Sequence, residues 1–211
     1  MKIPTEPIGS IPRPAQLIEA ITSQAGETDL TQLFNKAVDD TLKEFEKTGS
    51  TVITDGEQTK PSFVTYPLHG LENLVPGGMR IDFADGHFRQ LPLLSKGPFR
   101  YASYAAQYLK YAKQHTALPV KQAVISASAL SLIYPPEGIE GYSKAEFIKD
   151  LLNECEKDIR LCLQEGAAKV QMDFTEGRLS LKLDPSGAVL RQFIDLNNQV
   201  FDRFSKEEQQ K

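Results

Sequence analysis

The chain alternates short runs of β-branched residues with longer segments in which apolar residues recur at helical spacing. The short runs predict strands at residues 2–8, 51–54, 120–126 and 169–174. Helical segments lie between them, and this alternation is typical of a parallel sheet whose strands are connected by helices. The pattern therefore predicts an α/β fold.

Residues that favour helix ends mark the boundaries of the predicted helices. Thr28 or Asp29 is the expected N-cap of the second helix, which should end at Gly49. Ser143 and Glu146 have the spacing of a capping box, so a long helix should begin there. The predicted helices begin near Ala15, Thr28, Tyr101, Ser143 and Val189.

The pattern weakens between residues 60 and 99, which we interpret as an insertion. Polar and apolar residues alternate in 79–83 and again in 87–91, on either side of an Asp-Gly turn at Asp85. The insertion is therefore predicted to contain a β-hairpin. His69 and His87 lie within it, and we expect packing or solvated roles for both rather than metal binding.

The composition and charge of the chain bear on its number of domains, its partners and its location. With 211 residues and 40% hydrophobic content, residues 1–211 can form a single domain around one core. The net charge of -4 comes from scattered charges without long runs, which argues against nucleic-acid and anionic-membrane partners. A small-molecule partner is expected instead. No segment approaches the roughly 18 apolar residues of a membrane span, and a cytoplasmic location is expected.

The two cysteines, Cys155 and Cys162, lie seven residues apart in a segment with helical periodicity. Two turns of helix separate them by about 10 Å, which is too far for a disulfide bond. Their spacing matches no zinc motif. Both are therefore predicted to be buried structural thiols.

Polar residues stand at the end of each of the four predicted strands. Because the carboxyl ends of the strands of a β/α barrel meet at one mouth, we expect these residues to share a pocket. Carboxylates suit the ammonium group of an amino acid, whereas hydroxyl and backbone N–H groups suit its carboxylate. The pocket is thus predicted to take a zwitterionic amino acid. The residues are Gly9, Ser10, Asp55, Glu57, Ser126, Ser128, Asp173 and Glu176.

Five segments in this order resemble motifs of the small, single-barrel relatives of cobalamin-independent methionine synthase. They are residues 8–14, 54–58, 120–126, 138–143 and 171–179. The resemblance runs along the whole chain and implies a (β/α)₈ barrel of the TIM type, of which this chain holds roughly the first 60%. The expected structure is a half or incomplete barrel of about four parallel strands with a β-hairpin insertion.

The resemblance also implies an activity, which is methyl transfer from methyltetrahydrofolate to the thiol of homocysteine activated on zinc. By the motif match, Ile8, Gly9 and Ser10 bind the carboxylate of homocysteine. Glu57 and Asp173 bind its amino group. Ser126 and Glu176 are further candidates for contact with the substrate, and no residue is assigned a catalytic role. Methionine synthases usually follow the aspartate with Glu-Pro-Ala, which is replaced here by Phe-Thr-Glu, so contacts with folate are not carried over.

The zinc ligands of the family do not occur in this sequence. In the family a His-x-Cys pair follows the fifth strand, and a glutamate and a cysteine come from later strands, whereas this chain ends where that fifth strand is expected. None of His69, His87 and His115 stands in a His-x-Cys arrangement. No metal site is therefore expected, because catalytic zinc needs about three protein ligands.

These expectations leave more than one function open. One is a homocysteine methyltransferase that becomes active when a homodimer or a complementary second-half chain completes the barrel. The alternative is a catalytically inactive half-barrel that binds an amino acid or serves as a structural module. A third interpretation is a metal-free porphyrin decarboxylase on the same fold, which predicts a pocket lined by Arg and Asp.

Overall fold

The computed structural model describes residues 3–24, 26–82, 86 and 88–211, without the side chains of residues 82 and 89. The chain divides into two compact units. The first unit contains the residues up to Phe63, Ala105–Val124 and Arg160–Gln171. The second contains Val64–Tyr104, Ile125–Ile159 and Met172–Lys211. Whether these units form one domain, as the composition suggests, stays a prediction.

The described residues form both α-helices and short strands, with helices before and after β5 and β6, so the α/β class is confirmed. The α-helices are α1 (Ala15–Thr22), α2 (Glu27–Lys47), α3 (Ala106–Gln114), α4 (Ala127–Ser131), α5 (Lys144–Gln164), α6 (Gly177–Leu183) and α7 (Ala188–Phe201). The strands are β1 (Leu74–Val75), β2 (Arg80–Asp82), β3 (Phe88–Gln90), β4 (Leu93–Leu94), β5 (Lys121–Ile125) and β6 (Lys169–Asp173).

Strands β5 and β6 pair with each other and correspond to the third and fourth predicted strands. Hydrogen bonds from Ala168 N to Val120 O (2.8 Å) and from Ser126 N to Asp173 O (3.3 Å) show that the pairing is parallel. Every residue of β5 is buried, as expected of a strand covered on both faces. These two predicted strands are confirmed.

The first two predicted strands differ from expectation. Residues 3–8 form no strand, because Pro4 and Pro7 lack the N–H groups that a sheet ladder requires. The second predicted strand is reduced to one parallel bridge, in which Ile53 pairs with Val120. The described residues thus form partial sheets, and a four-stranded half barrel is not confirmed.

The two antiparallel strands of the predicted hairpin are confirmed, whereas their assignment to an insertion stays a prediction. Strands β2 and β3 are antiparallel, with Arg80 opposite Gln90. A second antiparallel pair, β1 with β4, places Leu74 opposite Leu94. Of the predicted turn and its neighbours, Phe83, Asp85 and His87 lie outside the described residues.

Helix boundaries were predicted with uneven success. The capping box at the start of α5 is confirmed, since Ser143 N donates to the Glu146 carboxylate (2.8 Å) and Glu146 N donates to the Ser143 hydroxyl (3.3 Å). The N-cap of α2 is Gly26, so Thr28 and Asp29 lie inside its first turn and the predicted N-cap was wrong. Helix α3 begins at Ala106 instead of Tyr101.

The cores are apolar and contain both cysteines. In the first unit α1 and α3 each pack against α2, burying Leu17, Leu42 and Leu109. In the second unit α7 packs against α4 and α6. Cys155 and Cys162 are both buried and form no disulfide bond, as predicted.

Candidate functional site

A tight turn at Gly56 and Glu57 presents the first group of candidate residues. Both residues are left-handed, with φ of 67° and 56°, and such a pair is unusual because only glycine adopts this conformation without cost. A side chain at position 56 would lie 2.8 Å from atoms of Ile11 and Thr41, so the position has room only for glycine. Ile11 N donates to Gly56 O (3.1 Å) and fixes the turn against the segment that carries Ser10.

The carboxylate of Glu57 is buried and both of its oxygens are engaged. Oε1 accepts a hydrogen bond from the ammonium of Lys60 at 2.8 Å, and Oε2 accepts one from the hydroxyl of Ser10. The Lys60 ammonium also donates to Ala123 O at 2.7 Å. Lys60 and Glu57 are 1% and 6% exposed, so this is an internal ion pair.

Arg13 holds the chain that follows the turn. Its Nε donates to Gln58 O at 2.9 Å, and its Nη2 donates to Lys60 O. Partial burial lowers the pKa of the Arg13 guanidinium, while the charge of Glu57 opposes that shift. The Arg13 guanidinium thus connects the backbone at Gln58 and Lys60 to the Pro-rich segment.

Two buried acceptors flank Glu57 in the sequence. Asp55 Oδ1 accepts from Glu57 N at 2.9 Å and from the Thr54 hydroxyl at 3.3 Å. Within the described part of the chain, Asp55 Oδ2 and Gln58 Oε1 are buried and have no hydrogen-bond partner. Burial raises the pKa of Asp55, and the charge of Lys60 opposes that shift. A group that brings N–H donors would satisfy these oxygens.

Ile8, Gly9 and Ser10 form the edge of this cluster toward solvent. Ile8 is 82% exposed and Gly9 is buried. A side chain added at Gly9 would come within 3.9 Å of Glu57 Cδ, which is ordinary van der Waals contact. Ser10 is exposed as a residue although its hydroxyl donates to Glu57.

The second unit contains a separate polar cluster around Glu176, which is 5% exposed. Glu176 Oε1 accepts hydrogen bonds from the hydroxyls of Ser126 (2.7 Å) and Ser128. Asn197 Nδ2 donates to the Ser128 hydroxyl oxygen at 2.7 Å, so that hydroxyl directs its own hydrogen to Glu176. Burial raises the pKa of Glu176, and the charge of Asp173 adds to the shift. Glu176 Oε2 is buried without a partner among the described residues.

The structure brings some predicted site residues together. Ser10 and Glu57 are in direct contact in the first unit, and Ser126 contacts Glu176 in the second. Asp173 ends β6 in the second unit, so its role beside Ser10 and Glu57 stays a prediction. The binding roles of all these residues are likewise predictions.

Sequence reasoning missed two members of the two clusters, Lys60 and Asn197. Lys60 could have been found from its spacing, since a lysine three residues after a glutamate can form a local ion pair. Ser128 was among the predicted pocket residues, and its hydroxyl donates to Glu176. Asn197 is 69 residues from its partner Ser128, and no local signal in α7 points to it.

Zinc does not fit the residues that the structure describes. Within them no group of three or more His, Cys, Asp and Glu side chains is arranged to hold a metal ion. His69 is exposed, and His115 stacks on the Tyr111 ring with 3.9 Å between ring centroids. The helices in the described ranges also include none that is long and apolar enough to cross a membrane.

Comparison with curated proteins identifies a similar sequence. No protein-family model matches the chain. A methionine synthase from Sulfurisphaera tokodaii is 26% identical over 182 residues, which cover 81% of this chain and 51% of that protein. The chain thus spans about half the length of this curated relative.

Solved structures give the same indication for the fold. A B12-independent methionine synthase from Shewanella sp. W3-18-1, in complex with selenomethionine, matches 90% of this chain and 57% of its own at a TM-score of 0.67 and 20% identity. A putative vitamin-B12-independent methionine synthase from Listeria monocytogenes matches 94% and 60%, with a TM-score of 0.68 and 18% identity. The predicted resemblance is therefore confirmed: this chain is similar in sequence to a methionine synthase and in fold to B12-independent methionine synthases, over about half of their length.

Proposed function

We propose that this chain binds homocysteine, or a related thiol amino acid, as the amino-acid-binding part of a methyltransferase. The reaction type is that of a 5-methyltetrahydropteroyltriglutamate–homocysteine S-methyltransferase, which forms methionine. The observation that carries the proposal is the contact between the Ser10 hydroxyl and the Glu57 carboxylate. It joins, at one place in the first unit, the two motifs that the resemblance assigns to the carboxylate and the amino group of the ligand.

The chemistry of this contact suits an α-amino acid. Glu57 offers a carboxylate for the ammonium of the ligand, and the strip of Ile8, Gly9 and Ser10 offers backbone N–H and hydroxyl donors for its carboxylate. The unsatisfied oxygens of Asp55 and Gln58 supply further acceptors for N–H donors near the same turn. The selenomethionine bound to the Shewanella protein is an amino acid with both of these groups.

The motif match adds residues of the second unit to the proposal. Asp173 is proposed as an acid for the amino group, with Ser126 and Glu176 as further substrate contacts. Methyltetrahydrofolate is proposed as the methyl donor from the resemblance alone. These assignments rest on the order and composition of the motifs.

Activation of the substrate thiol on zinc would require metal ligands from a second chain. The described residues do not provide a zinc site, so no step through zinc is assigned to them. We propose that the chain pairs with a second copy of itself or with a complementary second-half chain, and that only the second-half chain supplies the metal ligands, because a second copy has the same sequence. The second candidate function is a catalytically inactive half-barrel that binds an amino acid or serves as a structural module. Zinc content of the purified chain separates the two, because stoichiometric metal would support catalysis.

Isothermal titration of the chain with L-homocysteine and L-methionine tests the proposal. Glu57→Gln should weaken binding by about tenfold or more, because it removes a charge-assisted hydrogen bond to the ligand. The control is Glu44→Gln, since Glu44 forms an ion pair with Lys47 at the same spacing of three residues but 71% exposed. Equal affinities of the two variants, or no binding by the unaltered chain at millimolar ligand, would refute the proposed function.

A further inference from the structure

The two oxygens of Glu57 face different kinds of partner. Oε1 is bonded to the ammonium of Lys60, a residue that is 1% exposed. The same ammonium also donates to the carbonyl oxygen of Ala123 in β5. The Tyr108 ring centroid lies 5.9 Å from that ammonium, within the range of a cation–π interaction. The hydroxyl on Oε2 belongs to Ser10, which is exposed. A ligand arriving from solvent therefore meets Oε2, through Ser10, and not Oε1.

We propose that Lys60 is a positioning residue of the amino-acid site, acting through Glu57. Its ammonium neutralises the buried carboxylate and stays bonded to Oε1. The ligand ammonium therefore binds Oε2, where it replaces the Ser10 hydroxyl. The released hydroxyl then donates to the ligand carboxylate. This inference rests on the proposed function, and it explains why the site would select an amino acid over a simple amine or carboxylate.

Charge balance explains why such a site selects a zwitterion. Glu57 and Lys60 form a neutral pair, and an α-amino acid adds one positive and one negative charge, so the balance is kept. An amine alone adds an uncompensated charge and leaves the Ser10 hydroxyl without its acceptor. A carboxylate alone brings a negative charge toward Glu57. Ligands with only one of the two groups should therefore bind more weakly than the amino acid.

Three sulfur compounds that differ only in these groups test the exchange. L-methionine should bind about tenfold or more tightly than 3-(methylthio)propylamine or 4-(methylthio)butanoate. Ser10→Ala should lower the affinity for L-methionine, because the hydroxyl that donates to the ligand carboxylate is lost. The same variant should leave the affinity of the amine unchanged or raise it, because Oε2 no longer has to release a hydroxyl. Parallel weakening of both ligands by Ser10→Ala would overturn the exchange.

Substitutions of Lys60 test its positioning role. Lys60→Met should weaken the binding of L-methionine by about tenfold or more, because Glu57 loses the cation that holds its Oε1 oxygen. Lys60→Arg, which keeps the charge, should restore most of the affinity. Lys47→Met, in the exposed pair of equal spacing, is the control and should leave binding unchanged.

The outcomes distinguish the inference from the proposed function. If the unaltered chain binds none of the three compounds, the proposed function fails. If it binds L-methionine and Lys60→Met binds it with the same affinity, the positioning role is refuted while the proposed function stands. Should Lys60→Met fail to fold, the opposite signs expected for Ser10→Ala still decide whether the ligand exchanges with the hydroxyl.

Discussion

Replacing Lys60 with methionine measures how much the buried ion pair contributes to folding. Methionine fills a similar volume but leaves the Glu57 carboxylate, with a side chain only 4% exposed, without its cation. Removing one partner of a buried pair typically costs about 3–5 kcal/mol, because the remaining charge is uncompensated. In a chain of this size each kcal/mol lowers the melting temperature by about 2–4 °C, so a fall of roughly 6–20 °C is expected.

A second pair in the same unit provides the comparison. Glu44 and Lys47 have the same spacing and a distance of 2.6 Å, but their side chains are 71% and 69% exposed. Exposed pairs contribute about 0–1 kcal/mol, because water screens both charges. Lys47→Met should therefore change stability little. The contrast between the two variants isolates burial, since both remove a lysine three residues after a glutamate.

Urea and thermal unfolding followed by far-ultraviolet circular dichroism are suitable assays, because the chain has no tryptophan to report by fluorescence. The double variant with Glu57→Gln and Lys60→Met should lose less stability than the sum of the single variants, since it leaves no unpaired charge. A loss for Lys60→Met within about 1 kcal/mol of that for Lys47→Met would refute the reasoning.

Three further changes test other parts of the structure. Gly56→Ala should destabilise the chain more than Gly49→Ala. Both sites have a positive φ, which costs about 1–2 kcal/mol for alanine, but only at position 56 do other atoms lie 2.8 Å from the added carbon. Equal losses of stability in urea unfolding would contradict this. Burial raises the pKa of Glu176 above its ordinary value of 4.5, so its protonated form is favoured in the folded chain and stability should fall as pH rises from about 4.5 toward the raised value. Glu176→Gln should reduce this slope but not abolish it, because burial also raises the pKa of Asp55, and an unchanged pH profile would argue against the buried position of Glu176. Ser143→Ala should cost about 0.5–2 kcal/mol through loss of the capping box, measured by urea unfolding, and a neutral effect would mean that the cap is not formed.

Local signals in the sequence predicted the elements whose stability is local. The capping box of α5 uses two residues three positions apart, and the hairpin of β2 and β3 uses alternation on either side of a short turn. The strand pattern at residues 120–126 was sufficient for β5 because a buried strand consists mostly of apolar residues. The first strand failed since β-branched residues cannot replace the N–H groups that Pro4 and Pro7 lack.

The candidate site was predicted in part. The motifs singled out Ser10 and Glu57, and the structure joins them across 47 residues of sequence. The spacing of three residues permits an ion pair between Glu57 and Lys60, but its burial was not foreseen, because that depends on two successive left-handed residues at Gly56 and Glu57. Contacts between distant segments, such as that of Asn197 with Ser128, follow from packing and have no local pattern.

Diffraction from crystals of the chain grown with L-selenomethionine tests the central claim most directly, since the anomalous signal of selenium locates the ligand without bias. The account predicts one selenium site whose ligand places its ammonium within about 3 Å of Glu57 Oε2 and its carboxylate against the Ser10 hydroxyl. Selenium bound elsewhere, with the Ser10–Glu57 hydrogen bond intact, would contradict it.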